Sequence, residues 1–416
     1  MKIGRVKRLL LVTHRAIDQS GGPAARWRSL ARHLGEAGWR VDVVAAPQRA
    51  SAVEFAGDAG HRRRVGARAR VMATAGRWAD PAFRLLGLRP EAFPLSMTWL
   101  PRGAVAVRGR LASARYDAVV ATGPPFVALL AARAAARAGD PPLIVELRDL
   151  WAGSPAFDRG GPLLPALERF VFARAAAVVV CTPEAADDVR ARHPDAAGRV
   201  AEVPNGFEGE LLARRREDPP AGRPLTILHS GTLTADRPLA PLLRALAQRP
   251  GAFRLVLHGH LAPAIEREIA ASAAAVDRLP PSGWTEAVER IAAADVALIT
   301  QARGAGDATA VASKVYEYLA LGRPVLCVTD GGATEALLRR LGADGLCARL
   351  GDDDSIGAAL DRILAGDVPA PVDPEALAPW ERRTTALRLA AILDGQAREA
   401  TGRSGSSAAA STAAMR

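Results

Sequence analysis

The sequence predicts an α/β fold of two doubly wound, Rossmann-like domains facing each other across a cleft. Three observations predict it. From residue 8 onward, short apolar runs alternate with helical patterns. The runs are continuously apolar, as expected of parallel strands covered on both faces. The rhythm breaks once, over residues 209–223, and then resumes, which divides the chain into two successive β/α/β series. The length of 416 residues fits two domains at about 100–200 residues each.

The first series places strands at residues 8–14, 41–45, 117–122, 143–147, 177–181 and 200–203. Helical segments with Arg and Ala on their outer faces separate them. Residues 24–37 put Leu30, Ala31 and Leu34 on one stripe, and Gly38 ends that helix. The break carries Arg214-Arg215-Arg216 and then Asp218-Pro219-Pro220-Ala221-Gly222, a linker composition. The second series places strands at 225–229, 254–258, 296–300, 325–328 and 346–350. The expected division is therefore 1–208, a linker at 209–223, and 224–379. Residues 399–416 are low in complexity and are expected to be disordered. In open α/β sheets ligands bind beyond the carboxyl ends of the strands, so the shared cleft is the expected site.

Composition narrows the function classes. Apolar residues make up 49% and charged residues 24%, which excludes wholesale disorder. Aromatics are only 5%, so Ala, Val and Leu must fill the interior. Cys181, Cys327 and Cys347 each lie in an apolar run and read as small buried hydrophobes in a reducing compartment. No Cys/His cluster has metal-ligand spacing, so no metal and no cofactor is expected. The N-terminal apolar run, Leu9 to Val12, is too short for a secretory signal. The longest apolar stretch is broken by Gly123-Pro124-Pro125, and none is long enough to span a bilayer. A cytoplasmic protein is expected, at most peripheral at the inner membrane face.

Charge is unevenly placed. The net charge is +11; residues 1–200 carry +14 and residues 201–416 carry −3. Such asymmetry points to an anionic partner for the N-terminal half, or to an Arg-rich solvated face. The Arg-rich region 61–115, with Arg62-Arg63-Arg64 and with Trp78, Phe83, Leu85, Leu86, Phe93 and Trp99 interleaved, suits an anionic membrane surface or an ordinary cleft wall. Lysine occurs only at Lys2, Lys7 and Lys314. In a chain that otherwise uses Arg, a lysine at 314 points to a need for a compact ammonium.

Four motifs carry chemistry. Gly21-Gly22 lies between the first strand and the first helix, where backbone N–H groups approach an anion or simply make a tight turn. Glu146-Leu147-Arg148-Asp149-Leu150-Trp151 ends a strand, and its charged pair either faces the cleft or orders the loop. His229-Ser230-Gly231-Thr232 ends the first strand of the second half, and Arg237 follows with a guanidinium suited to phosphate. The fourth string runs from Ser313 to Leu326. Lys314 and Glu317 there share one helix face, with Tyr316 between them. A lysine at a helix start suits a diphosphate, and a carboxylate one turn on suits vicinal hydroxyls of a ribose.

In order and spacing the chain resembles the GT-B fold glycosyltransferases of glycosyltransferase family 4, in particular bacterial members that make polysaccharides and glycosylated metabolites. GGPAARWRSLARHLGEAGWRVDVVA resembles the family's opening glycine loop, helix and second strand. ATGPPFVALLAARAAARAG followed by VELRDLW resembles an acceptor-domain signature, and VPNGFE the end of that domain. SGTL with Arg237, then HGH, SGWTEAVERIAAADVALI and SKVYEYLALGRPVL resemble the donor domain. PWERRTTALRLAAILD resembles the terminal helix, expected at 380–398, that crosses back to the N-terminal domain.

The resemblance implies transfer of a sugar, with retention, from a nucleotide-diphosphate sugar to a hydroxyl acceptor. Arg237 and Lys314 would bind the donor diphosphate, with Ser313, Tyr316, Gly231 and Thr232 on the donor side beside them. Glu317 would hold the ribose, Gly259 and Trp284 would border the base, and Gly21 and Gly22 would approach the phosphates from the other domain. Asp149, Arg148 and Arg26 would face the acceptor side. Two positions depart from the family: Thr309 stands where a Glu is frequent, and Arg148 where many members carry His. Three alternatives stay open: a same-fold nucleotide-sugar epimerase, a non-catalytic GT-B partner subunit, and a basic nucleic-acid-binding module. For the last, aromatics are sparse and no recognition motif appears, so no nucleic-acid partner is expected.

Overall fold

Leu9, Leu10, Leu11 and Val12 are all fully buried, yet they serve two different cores. Leu10 and Val12 face one hydrophobic cluster with Val119 and Ala121. Leu9 and Leu11 face another with Ala118 and Val120. A strand whose two faces are both covered needs apolar residues at every position, which is why these runs do not alternate.

The computed structural model describes residues 5–14, 22–46, 97–154, 157–158, 161–215, 223–301 and 308–413, with side chains left aside at 22–23 and 401–413. The chain forms two units, residues 1–204 with 385–416, and residues 205–384. In the first, β1 (Lys7–Thr13), β2 (Trp39–Ala45), β3 (Ala118–Gly123), β4 (Leu143–Leu147), β5 (Ala175–Val180) and β6 (Val200–Glu202) form a sheet in the order β2-β1-β3-β4-β5-β6. Every pairing is parallel. Helix α1 (Gly22–Glu36) connects β1 to β2, and α2 (Leu100–Ser113), α3 (Val127–Ala135), α4 (Leu163–Phe172) and α5 (Pro183–Arg192) follow.

The second unit repeats the plan. Its strands are β7 (Leu225–Ser230), β8 (Phe253–His258), β9 (Val276–Leu279), β10 (Val296–Thr300), β11 (Val325–Thr329) and β12 (Cys347–Arg349), in the order β12-β11-β10-β7-β8-β9. All pairings are again parallel. The helices are α6 (Ala240–Ala247), α7 (Pro263–Ala270), α8 (Trp284–Ala293), α9 (Lys314–Ala320), α10 (Ala333–Arg340), α11 (Asp353–Leu364) and the short α12 (Pro374–Leu377).

Four differences from the sequence-based expectation have physical reasons. β9 reads Val-Asp-Arg-Leu, an edge strand with no fully buried position, so it lacks an apolar run. The unit boundary falls after Pro204 rather than after Glu208. Residues 209–215 are not a linker: Gly209–Arg214 is a 3₁₀ turn that buries Leu211. Arg215 donates to the carbonyls of Ala320 (3.0 Å) and Val372 (2.7 Å). The low-complexity tail continues one helix, α13 (Arg382–Ala413), whose Ala-rich end favours helical backbone. Within unit one, Ala386, Leu389, Ala390 and Leu393 of α13 share a cluster with Trp27, Leu30, Leu34 and Trp39. Their spacing is a helical stripe. Asp394 accepts from the Trp39 indole at 3.1 Å and pairs with Lys7.

Cys181 and Cys327 are buried and Cys347 is half-buried, all as free thiols. Among the described residues no helix is long and apolar enough to cross a membrane. Gly21, Arg62-Arg63-Arg64, Trp78, Phe83, Leu85, Leu86 and Phe93 lie outside the described residues.

Candidate functional site

Strand order reverses between β10 and β7 in the second sheet, and the carboxyl ends at such a reversal form the usual binding crevice. His229 and Ser230 end β7, and His258 ends β8. Gly231 N–H donates to the His258 carbonyl at 2.8 Å. A Cβ on Gly259 would stand 2.0 Å from the Gly231 carbonyl oxygen, and Gly259 has φ +139°. Glycine there lets the two loops pack backbone on backbone. Thr232 is exposed beside them.

Two bonds join β7 to β10 across the reversal. The Arg237 guanidinium, on the loop after β7, donates to the Thr300 carbonyl at 3.1 Å. The His229 ring meets the Leu298 carbonyl through Nδ1 at 3.2 Å. A carbonyl only accepts, so Nδ1 carries the proton and Nε2 is the acceptor. Burial lowers the His229 pKa to about 4; the Leu298 carbonyl opposes this, and Arg237, Lys314 and His258 lower it further. His229 is therefore neutral, and both expected phosphate-binding cations act on it.

Lys314 begins α9 and its ammonium lies 2.8 Å from Glu317 Oε2. Glu317 Oε1 lies 3.9 Å from the Arg382 guanidinium, which donates to Glu208 at 3.1 Å and to the Gly206 carbonyl at 3.1 Å. This chain of charges fixes the Lys314 stem while its head remains about a third exposed. Ser313 precedes it, exposed, with no side-chain cap. The loop before it, which carries Thr309, is held by Thr334: its hydroxyl accepts from Ala312 N–H and from Gln301 Nε2, each at 3.1 Å.

One donor-side expectation changes. Tyr316 is 2% exposed and packs near Trp380 in the core, since it sits on the inner face of α9. Its neighbour Tyr318 is the one that reaches the strand end: its hydroxyl accepts from Ser230 N–H at 3.0 Å. Trp284 is half-buried against the same core cluster as Tyr316, at the first turn of α8. Nearby, Ser282 Oγ contacts His258 Nε2 at 2.9 Å, and His258 Nδ1 contacts Ser230 Oγ at 3.2 Å.

In the N-terminal unit, Glu146 is the centre of a buried network at the end of β4. It accepts from Arg26 (2.9 Å), from the Trp27 indole (2.7 Å) and from Thr122. Burial would raise its pKa, but the Arg26 and Arg148 charges and the Thr122 and Arg26 hydrogen bonds outweigh that and hold it below the ordinary value. Arg26 also donates to the carbonyls of Val203 and Pro204. It is 6% exposed and joins α1 to β4 and the end of β6, so it is not an acceptor-side group. Arg148 donates to Thr122 Oγ1 at 2.9 Å and to the Pro124 carbonyl, while Asp149 is exposed. The following loop is pinned by Glu168, which accepts from Ala152 N–H at 2.9 Å. Gly22 opens α1.

Residues 21–206 match the family model for the glycosyl transferase 4-like domain. The N-terminal unit carries a glycosyl transferase 4-like domain. That domain makes the chain a transferase enzyme, and the paired six-stranded sheets are those of the GT-B fold. No match was found among curated protein sequences. Solved structures similar to this GT-B chain include Anabaena Alr3699/HepE in complex with UDP and glucose, at 15% identity and TM-score 0.61, covering 94% of this chain and 100% of that one. The lipopolysaccharide outer core galactosyltransferase WaaB is similar at 13% identity and TM-score 0.61, over 94% and 99%. AviGT4, a glycosyltransferase involved in avilamycin A biosynthesis, is similar at 18% identity and TM-score 0.52, over 95% and 98%.

The motifs that contain Glu146, His229 and Tyr318 stand out in the sequence, but nothing in it gives these residues, or Arg382, a role of their own. The sequence carries a signal for His229: HSG and HGH end adjacent strands of the second sheet in the same way. Among the described residues no group of three or more His, Cys, Asp or Glu is placed to hold a metal ion.

Proposed function

We propose that the chain moves a sugar from a nucleotide-diphosphate sugar to a hydroxyl acceptor, with retention of configuration. Arg237 and Lys314 meet the charge that develops on the departing diphosphate, which is electrostatic stabilisation by fixed cations. Two cations in place of a divalent metal suit a metal-independent reaction. Glu317 takes the ribose hydroxyls, Gly231, Thr232 and Ser313 flank the phosphates, and Gly259 and Trp284 border the base. Arg148 and Asp149 serve the acceptor or the transferred sugar. No protein nucleophile is required if the leaving phosphate accepts the acceptor's proton.

The observation that carries this proposal is that Arg237, bonded to the Thr300 carbonyl at 3.1 Å, anchors a cation on the end of β10 at the strand reversal of the second sheet, while Lys314 begins the helix that follows that strand. The similar Anabaena protein was solved with UDP and with UDP-glucose, which supports a nucleotide sugar as donor. A thermal-shift screen against UDP-, GDP-, ADP- and dTDP-sugars tests it. Stabilisation by one nucleotide class is expected. A flat response to all four, at concentrations far above ordinary donor affinities, contradicts it.

A further inference from the structure

His229 is a buried polar side chain of the C-terminal unit to which the proposed donor site gives no role. It is 6% exposed, and its Nε2 is buried with no hydrogen-bond partner among the described residues. Leaving a buried acceptor unsatisfied costs about 1–3 kcal/mol, which an apolar side chain of that shape would avoid. The nitrogen faces the glycine loop: it lies 3.5 Å from where a Cβ on Gly231 would stand. The ionisable groups acting on the ring are Arg237 from the loop after β7, Lys314 from α9 and His258 from β8. From β10 the Leu298 carbonyl accepts from Nδ1.

We propose that His229 is the proton-linked member of the donor site: when a diphosphate occupies Arg237 and Lys314, the imidazole takes one proton from solvent at Nε2 and becomes imidazolium. The inference rests on the donor site proposed above. With the site empty, burial and two nearby cations both oppose a charge on the ring. A bound diphosphate cancels those cations and supplies the missing negative charge. The coupling is Coulombic and needs no direct contact between imidazole and phosphate. No bond other than N–H forms, and the proton comes from the buffer. The consequence is donor binding that strengthens as pH falls.

The test is isothermal titration of the intact chain with the glucose conjugate of UDP, GDP, ADP or dTDP that gives the largest thermal shift. The diphosphate of such a conjugate does not itself titrate near neutral pH. Titrations in two buffers of different ionisation enthalpy give the proton count. At about pH 5.5, between the empty-site value of about 4 and the ordinary imidazole value of about 6.5, uptake of about 0.5–0.9 proton per nucleotide is expected. Affinity should be up to about tenfold tighter there than at about pH 7.5. His229→Asn, which keeps a donor for the Leu298 carbonyl but has no Nε2, should bind with no proton uptake and a flat pH profile. Wild-type binding without proton uptake overturns the inference and leaves the donor site standing. Uptake that persists unchanged in a folded His229→Asn assigns the proton elsewhere and also overturns it. If none of the four conjugates binds, the donor site and the inference fall together.

Discussion

The Arg237 guanidinium donates to the Thr300 carbonyl at 3.1 Å, so a cation from the loop after β7 is anchored on the end of β10. That bond spans the point where strand order reverses. A side chain held there is pre-positioned for an anion, and little of its conformational entropy remains to be lost on binding.

Lys314→Ala removes an ammonium that is about a third exposed and bonded to one carboxylate. Turnover should fall by about 10²–10³-fold, the range for losing one charge-stabilising donor. Melting temperature should stay within a few degrees of wild type. Steady-state kinetics beside a melting curve check this; near-normal turnover removes Lys314 from the site.

Glu146→Gln leaves Arg26 and Arg148 beside a neutral, buried amide. A loss of about 3–5 kcal/mol in unfolding free energy is expected, as for other buried pairs broken on one side. Chemical denaturation measures it. The folded pKa of Glu146 is lowered, so its contribution is present above the unfolded value of about 4.3 and is lost as pH falls below that toward the folded value. The variant should show a flatter acid limb than wild type.

His229 behaves in a related way with a different window. Its folded pKa of about 4 lies below the unfolded value of about 6.5. The unfolded chain therefore binds the extra proton, and stability declines as pH falls from about 6.5 to about 4. His229→Asn should remove a slope on the order of 3 kcal/mol across that window. Urea midpoints at several pH values decide it, and an unchanged slope means the ring titrates normally in the folded chain.

Gly259→Ala places a methyl 2.0 Å from the Gly231 carbonyl at a φ of +139°. The two strand-end loops must separate, so nucleotide binding should weaken at least about tenfold while strand content by circular dichroism is retained. Unchanged affinity means the loops do not shape the site.

Much of this is legible in the sequence alone. The parallel strands announced themselves because both faces of each sheet are covered, as Leu9 to Val12 illustrate. β9 stayed hidden because an edge strand of Val-Asp-Arg-Leu needs no apolar run. Gly259, Arg237 and Lys314 were readable because special backbone and isolated charges stand out against an Ala- and Arg-rich background. Arg26 and Tyr316 misled for the opposite reason. Burial converts a guanidinium into a structural donor and a phenol into core, and a single sequence does not say which face a residue takes. Glu146 and Arg382 matter through partners more than a hundred positions away, a relationship that no local pattern encodes.

The central claim is that Arg237 and Lys314 hold one diphosphate. The most direct measurement is a double-mutant cycle by calorimetry, with Arg237→Ala, Lys314→Ala and the pair, titrated with nucleoside diphosphate and with the matching monophosphate. Each single change should weaken the diphosphate at least about tenfold and the monophosphate less, with coupling of about 0.5–3 kcal/mol between the two positions. Diphosphate affinity that survives both substitutions unchanged would contradict it.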